Sequence, residues 1–236
     1  MAHVNDPDVV AREYTSLDRL SRRRLDRTGW LREIEPVQTV LTAIGEAHPQ
    51  RVLDAGSGSG EWAVMLTAPE ITCVDASAAA VEAARARGLE AVQADIADLP
   101  FADGAFDVVM CNWVLYHLPN VDRGLAEIAR VLQPGGRFVG AYDLLDHLDE
   151  VWSAVGRRWP ADAFNGENGG EVLARHFASV ERRDTSGEVL WENREALQSY
   201  LDAYSEMLGP LEAPRGVYPL RARRRNCVFV ARKGAP

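Results

Sequence analysis

The stretch Arg51–Gly60, RVLDAGSGSG, decides how this chain is read. Its first part, RVLDAG at 51–56, is a short and nearly continuous apolar run, as expected of a strand buried on both faces. The remainder sets glycines at 56, 58 and 60. Alternate glycines let a backbone turn sharply and approach a ligand closely, so the spacing predicts strand, loop and then helix, with free N–H groups at the helix start. A nicotinamide fingerprint G-x-G-x-x-G needs its third glycine at 61, where this chain has Glu61. No G-x-x-x-x-G-K-[ST] phosphate loop is present either. Taken alone, such a loop also serves any tight strand-to-helix turn.

Outward from this loop the same style continues. Further strand candidates are ITCVD (71–75), EAVQAD (90–95), FDVVMCNW (106–113) and GRFVGAYD (136–143). Between the second and third strands of the series, Ser77 caps a helix over Ala78–Arg87, with Gly88 as its left-handed stop. Between the fourth and fifth, Val121, Leu125, Ile128 and Leu132 share one helical face before Pro134-Gly135-Gly136 ends it. Alternating strands and helices with apolar strands predict a parallel sheet covered on both faces. Residues 12–45 read as helical: Ser16 caps a segment with Leu17, Leu20 and Leu25, and Pro36 opens another with Val37, Val40, Leu41 and Ile44. Beyond 143 the pattern is less regular. Glu171–Phe177 reads as a helix and Ser179–Leu190 as a strand with a turn at Ser186-Gly187. Asn193 caps a helix carrying Leu197, Leu201, Tyr204 and Leu208. Pro210, Pro214 and Pro219 punctuate a loop, and Asn226–Ala231 is a closing strand.

Composition narrows the partners. The 236 residues are 47% apolar and 26% charged, ordinary for a globular chain, and 26 Lys+Arg against 35 Asp+Glu give a formal charge of −9. That acidity disfavours phosphate backbones and anionic lipid. No apolar run approaches the roughly 18 residues of a membrane helix. The opening MAHVNDPDVVAREY lacks a basic start followed by an apolar core, so no secretory leader is expected. Cys73, Cys111 and Cys227 are far apart and odd in number, and read as buried packing thiols. The expected compartment is the cytoplasm.

Two acids stand where a ligand-binding α/β fold uses them. Asp75 ends the second strand candidate, where a carboxylate can accept both hydroxyls of a ribose. Asp95 ends the third, where it can accept from an adenine amine while the backbone of Ile96 donates to the ring. Either acid can also be a turn former or helix cap.

With these residues in place, the chain resembles a class I S-adenosylmethionine-dependent methyltransferase of the small-molecule type. The matching motifs are VLDAGSGSG (52–60), VDAS (74–77), ADIADLPFADGAFDVV (94–109), NWVLYHLPN (112–120) and LQPGGRFV (132–139). The resemblance implies a Rossmann-like, mostly parallel seven-stranded sheet of order 3-2-1-4-5-7-6, helices on both faces and a helical lid. It implies one methyltransferase domain over 1–236: an N-terminal helical cover (1–45), a cofactor core (51–143), a substrate lid with the sixth strand (144–220) and the final strand (226–232). It further implies that Asp54, Gly56, Gly58 and Gly60 surround the methionine end of S-adenosylmethionine. Asp75 with Ala76 would hold the ribose and Asp95 with Ile96 the adenine, while Asn112 would lie beside the sulfonium. The product would be S-adenosylhomocysteine, the acceptor a small molecule, and no nucleic acid, membrane or metal is expected.

His117 is the candidate general base, since it follows the fourth strand and histidine titrates in the useful range. It reads equally as a packed histidine bonded to a backbone carbonyl. Tyr116 can line an acceptor pocket, whereas Tyr14 is expected to pack. Trp152, Trp159, Phe164, Trp191, Tyr200 and Tyr204 supply the aromatics of the expected lid. Asp143, Asp146 and His147 resemble a metal set only superficially and read as a solvated loop. Arg22–Arg24 read as a solvated helix face. Alternation puts Arg221, Arg223 and Arg225 on one face of a strand entrance, expected to be an exposed charged edge. The rival readings are a protein that binds the cofactor without methyl transfer, and an RNA or protein methyltransferase.

Overall fold

A computed structural model describes residues 5, 6, 8, 9, 36–216 and 218–235. Seven strands form one sheet: β1 (Arg51–Ala55), β2 (Glu70–Asp75), β3 (Glu90–Gln93), β4 (Phe106–Met110), β5 (Leu132–Asp143), β6 (Ser179–Trp191) and β7 (Leu220–Arg232). Their order is 3-2-1-4-5-7-6, as the resemblance implied. Strands β1 to β5 run parallel, and β7 is antiparallel to both β5 and β6.

The helices with defined bounds are α1 (Pro36–Gly45), α2 (Ala78–Ala86), α3 (Val121–Val131), α4 (Asp149–Ala154), α5 (Gly169–Leu173), α6 (Arg194–Asp202) and α7 (Ser205–Leu208). The predicted Ser77 cap forms, its Oγ accepting from Ala80 N–H at 3.4 Å, and Gly88 ends the turn at φ +83°. Alternation along the strands divides the core. Leu53, Val109 and Phe138 face α3 with Leu125 and Ile128, while Val52, Val108, Met110 and Val139 face α1 with Val40 and Ile44. The predicted segments around Ser16, Tyr14 and Arg22–Arg24 lie outside the described residues.

Several expectations are corrected. No α-helix follows the glycine loop; a single 3₁₀ turn, Ala63–Met65, fills the connection to β2. Strand β3 stops at Gln93, because Asp95 accepts from Ala97 N–H at 2.8 Å and turns the chain. Pro134-Gly135-Gly136 does not cap α3 but lies within β5. The helix expected over Leu197–Leu208 breaks at Ala203-Tyr204 into α6 and α7. The early C-terminal helix is shorter, at Gly169–Leu173.

The largest difference is in the last two strands. Ser186-Gly187 makes no turn, and β7 begins at Leu220 rather than Asn226. Strand β7 pairs with β5 only from Arg137 opposite Arg232 to Asp143 opposite Asn226. It then runs past the sheet, still paired with β6, from Ser186 opposite Arg225 to Trp191 opposite Leu220. The segment after β5 clasps this extension: Leu144 N–H donates to Arg225 O at 3.0 Å and Leu148 N–H to Arg223 O at 2.9 Å. A separate apolar cluster is built there from Leu148, Val151, Trp152, Val189, Trp191, Leu197, Tyr200 and Leu201.

Because this cluster shares no buried side chain with the two that flank the sheet, its loss should be local. Leu201→Ala, at a fully buried position, should remove about 2–5 kcal/mol from it. Hydrogen exchange should then quicken in α4, α6 and α7 while the amides of β1 and β4 keep their protection.

Candidate functional site

The site stands at the carboxyl ends of β1, β2 and β4, and the glycine loop defines its floor. Gly56 and Ser57 N–H groups donate to Val74 O at 2.7 and 3.0 Å, folding the loop onto the end of β2. Gly60 N–H closes a turn onto Ser57 O at 3.0 Å, and Gly58 N–H donates to Asp75 Oδ2 at 2.8 Å. These four donors therefore already have acceptors. The α-helix start that was expected to leave free N–H groups does not form here.

The three glycines do different work. A Cβ at Gly56 would meet the Val114 side chain at 2.4 Å, and one at Gly60 the Leu89 side chain at 2.3 Å. Both positions let neighbours close in. A Cβ at Gly58, which sits at φ +54°, would meet nothing within 4 Å. Gly58 alone borders open space.

Asp75 faces that loop. Its Oδ1 accepts from Ser77 N–H at 2.9 Å, so each carboxylate oxygen is fixed by one backbone donor and keeps further acceptor capacity. Burial pushes its pKa up, and the N–H groups of Ser77 and Gly58 pull it partly back. Ala76 is exposed beside it, its carbonyl accepting from Gln93 Nε2 at 2.9 Å. Asp54 is buried at the end of β1. Asp95 is exposed at the turn after β3, and Ile96 is buried against the α3 face of the core.

Asn112 closes the other side. Cys111 O is taken by the Tyr142 hydroxyl at 2.6 Å, and the N–H of Ala141 is met by Asn112 Oδ1 at 2.8 Å. That bond fixes which way the amide points. Asn112 Nδ2 is buried and has no acceptor among the described residues. An unpaired buried donor is costly unless something else supplies an acceptor.

This donor set fits S-adenosylmethionine. Open space lies over Gly58, a carboxylate suited to two hydroxyls stands beside it, an amide donor without an acceptor among the described residues stands at Asn112, and four of the loop's N–H groups are already bonded within the protein.

His117 is buried in a 3₁₀ turn (Leu115–His117), its ring 4.3 Å from that of Tyr116. From Tyr116 an aromatic series leads to the separate cluster: Trp159 at 6.1 Å, then Trp152 at 6.2 Å, with Tyr204 5.3 Å from Trp152. Trp152, Trp191 and Tyr200 are buried, whereas Tyr116, Trp159 and Tyr204 are partly exposed. Phe164 belongs elsewhere, packed 4.6 Å from Tyr142 in the main core.

The segment after β5 is not the solvated loop expected. Asp143 Oδ1 accepts from Trp113 Nε1–H at 2.7 Å and Asn226 Nδ2 at 2.5 Å, and His147 Nδ1 accepts from Arg225 N–H at 3.1 Å. Burial pushes the His147 pKa down. Among the described residues no group of three His, Cys, Asp or Glu is placed to hold a metal ion. Trp113 and Asn226 were not foreseen, since no sequence pattern marks a tryptophan that will turn back over its own strand end. Arg221, Arg223 and Arg225 pair with Glu188, Glu150 and Asp146 at 2.6, 3.0 and 3.4 Å. The three cysteines are free and buried, and burial pushes each thiol up to about 12. Among the described residues no helix is long and apolar enough to cross a membrane.

Residues 53–140 match the family described as "Methyltransferase domain". A demethylmenaquinone methyltransferase of Mycobacterium sp. (strain KMS) is 37% identical over 134 residues, 56% of this chain and 55% of that protein. A malonyl-[acyl-carrier protein] O-methyltransferase of Pseudescherichia vulneris is 27% identical over 185 residues, 75% of this chain and 68% of that one. The chain thus spans about half the length of the first curated relatives it matches. Among solved structures, YcgJ of Bacillus subtilis superposes with a TM-score of 0.59 at 17% identity, covering 84% of this chain and 99% of its own, a likeness of fold.

The glycine geometry makes a direct test. Gly58→Ala should cost only the left-handed backbone, roughly 1–2 kcal/mol. Gly60→Ala, at φ +75°, should cost about 1–3 kcal/mol more, since it adds the clash with Leu89. Thermal melts of the two variants should separate accordingly.

Proposed function

We propose that the chain carries a class I S-adenosylmethionine-dependent methyltransferase domain and transfers a methyl group from this cofactor to a small-molecule acceptor. The observation that carries the reading is the pairing of open space over Gly58 with the fixed carboxylate of Asp75, opposite the unpaired Nδ2 of Asn112. Asp75 would accept the two ribose hydroxyls, with Ala76 beside them. Asp95 would take the adenine amine through the oxygen its turn leaves over, with Ile96 under the ring. Gly56 and Gly60 hold the loop close, Gly58 gives room to the methionine end, Asp54 lends negative charge near it, and Asn112 donates to it.

When bound, the cofactor supplies a methyl group on a sulfonium whose leaving group is a neutral thioether. The protein's part is then alignment and exclusion of water more than proton chemistry. For an acceptor that must lose a proton, His117 is the base, with the proton moving to its imidazole. Tyr116, Trp159 and Tyr204 form the partly exposed aromatic wall beside it, which suits an apolar or planar acceptor. The segment 144–220, hung on the β6–β7 extension, acts as the substrate lid, and the described part of 1–45 packs on the same face as Trp113. A nucleic-acid acceptor is disfavoured by the −9 charge and by the carboxylate partners of Arg221, Arg223 and Arg225. Three reduced, buried thiols suit the cytoplasm.

The test begins with thermal melts in S-adenosylhomocysteine, S-adenosylmethionine and NAD. The first two, at about a hundred times their dissociation constants, should add roughly 2.7 kcal/mol, and NAD nothing. No shift with either adenosyl ligand would overturn the reading. Asp75→Ala should abolish the shift. Transfer of labelled methyl groups is then followed with small acceptors, including demethylmenaquinone and malonyl-acyl carrier protein, the molecules that name the two relatives. His117→Ala should keep the melt shift and slow transfer by about 10²–10⁴-fold.

Asp75 also sets a pH dependence. A hydroxyl donates to the ionised carboxylate, and the raised pKa means protonation begins at higher pH than for an ordinary aspartate. S-adenosylhomocysteine affinity measured from about pH 8 downward should fall before the usual carboxylate range near pH 4 is reached. Asp75→Asn should bind weakly and lose this dependence.

A further inference from the structure

Trp113 is held in a conformation that its sequence does not favour. It lies at φ +53°, a left-handed backbone uncommon for any residue but glycine and costly for a bulky one. Three contacts hold it there. Its N–H donates to Ala141 O at 3.0 Å, its indole Nε1–H donates to Asp143 Oδ1 at 2.7 Å, and its ring lies 5.5 Å from that of Trp62, just past the glycine loop. Asp143 is itself fixed: the same Oδ1 takes Asn226 Nδ2 from β7, and Asn226 is almost wholly buried.

Both backbone groups of Ala141 are engaged here. Its carbonyl takes Trp113 N–H, and its N–H gives to the side chain of Asn112. Relaxing Trp113 to an extended backbone would move its ring off Asp143 and Trp62, leaving the 112–113 segment held only by the two bonds to Ala141. The Asn112 Nδ2 donor is therefore aimed by a device that ends, two residues along β5, in the Asp143 carboxylate.

We propose that Trp113 and Asp143 are positioning residues for cofactor binding: Asp143, by holding the Trp113 indole, keeps the end of β4 in the left-handed turn that presents Asn112 Nδ2 to the methionine end. This rests on the cofactor assignment above. Trp62 ties the same turn to the glycine loop, so both walls of the methionine end are set together.

Calorimetric titration with S-adenosylhomocysteine tests it on the whole chain. Trp113→Phe removes the N–H and keeps most of the ring packing; Asp143→Ala removes the acceptor. Each should weaken binding by about tenfold or more. Asp143→Asn, which keeps an oxygen for Trp113 and Asn226, should stay within about threefold of the native protein. Leu173→Ala, a remote core truncation at a fully buried position, should lower the melting temperature and leave affinity within about threefold. Native affinity in both Trp113→Phe and Asp143→Ala would overturn the proposal and reduce the pair to a fold contact. An Asp143→Asn loss equal to that of Asp143→Ala would overturn it as well, because charge rather than the indole bond would then be responsible. If the native protein itself fails to bind, the cofactor assignment falls instead.

Discussion

Strand β7 is the constraint on which the rest of this molecule depends. Its carboxyl-terminal half completes the sheet against β5 and seals the core with Val228, Phe229 and Val230. Its amino-terminal half pairs with β6 on one side and is held by the segment from Leu144 to Glu150 on the other. One strand therefore fixes both the sheet that carries the proposed cofactor site and the platform for the aromatic cluster. Asn226, at the point of change, reaches Asp143 and through it Trp113.

The glycine loop shows why residue type alone underdetermines role. Three glycines at alternate positions invite a single explanation, a ring of free donors at a helix start. The structure divides them: Gly56 and Gly60 are demanded by Val114 and Leu89, and only Gly58 leaves room above it. The donors are consumed by Val74, Asp75 and Ser57. Three of the four bonded donors fasten the loop to the end of β2, so most of its polar capacity goes into holding its own shape.

Much of the fold was legible because its determinants are local. Apolar strands, the Ser77 and Asn193 caps and the stop at Gly88 each act within a few residues, and the strand order followed from the resemblance carried by the motifs. Asp75 was legible as the residue that ends β2, whereas Asp95, expected to end β3, lies in the turn after it. What was missed depends on long-range partners. Arg221–Arg225 look like a charged entrance until β6 provides the ladder and Glu188, Glu150 and Asp146 the counter-charges. Ser186-Gly187 has turn composition, yet β7 opposite it keeps the strand extended. The left-handed Trp113 has no local signal at all, since its stability comes from Ala141, Asp143 and Trp62.

The way β7 overhangs the sheet also bears on how such a protein can change its chemistry over time. Everything beyond the Thr185–Asn226 pair hangs from a single hairpin and carries its own apolar cluster. Mutations that reshape that cluster meet the proposed cofactor site at few points, chiefly Tyr116 and the Asp143–His147 turn. Selection can therefore rework this cluster while leaving β1 to β4 untouched. The seam at 185 and 226 is the natural boundary for grafting one such extension onto another sheet.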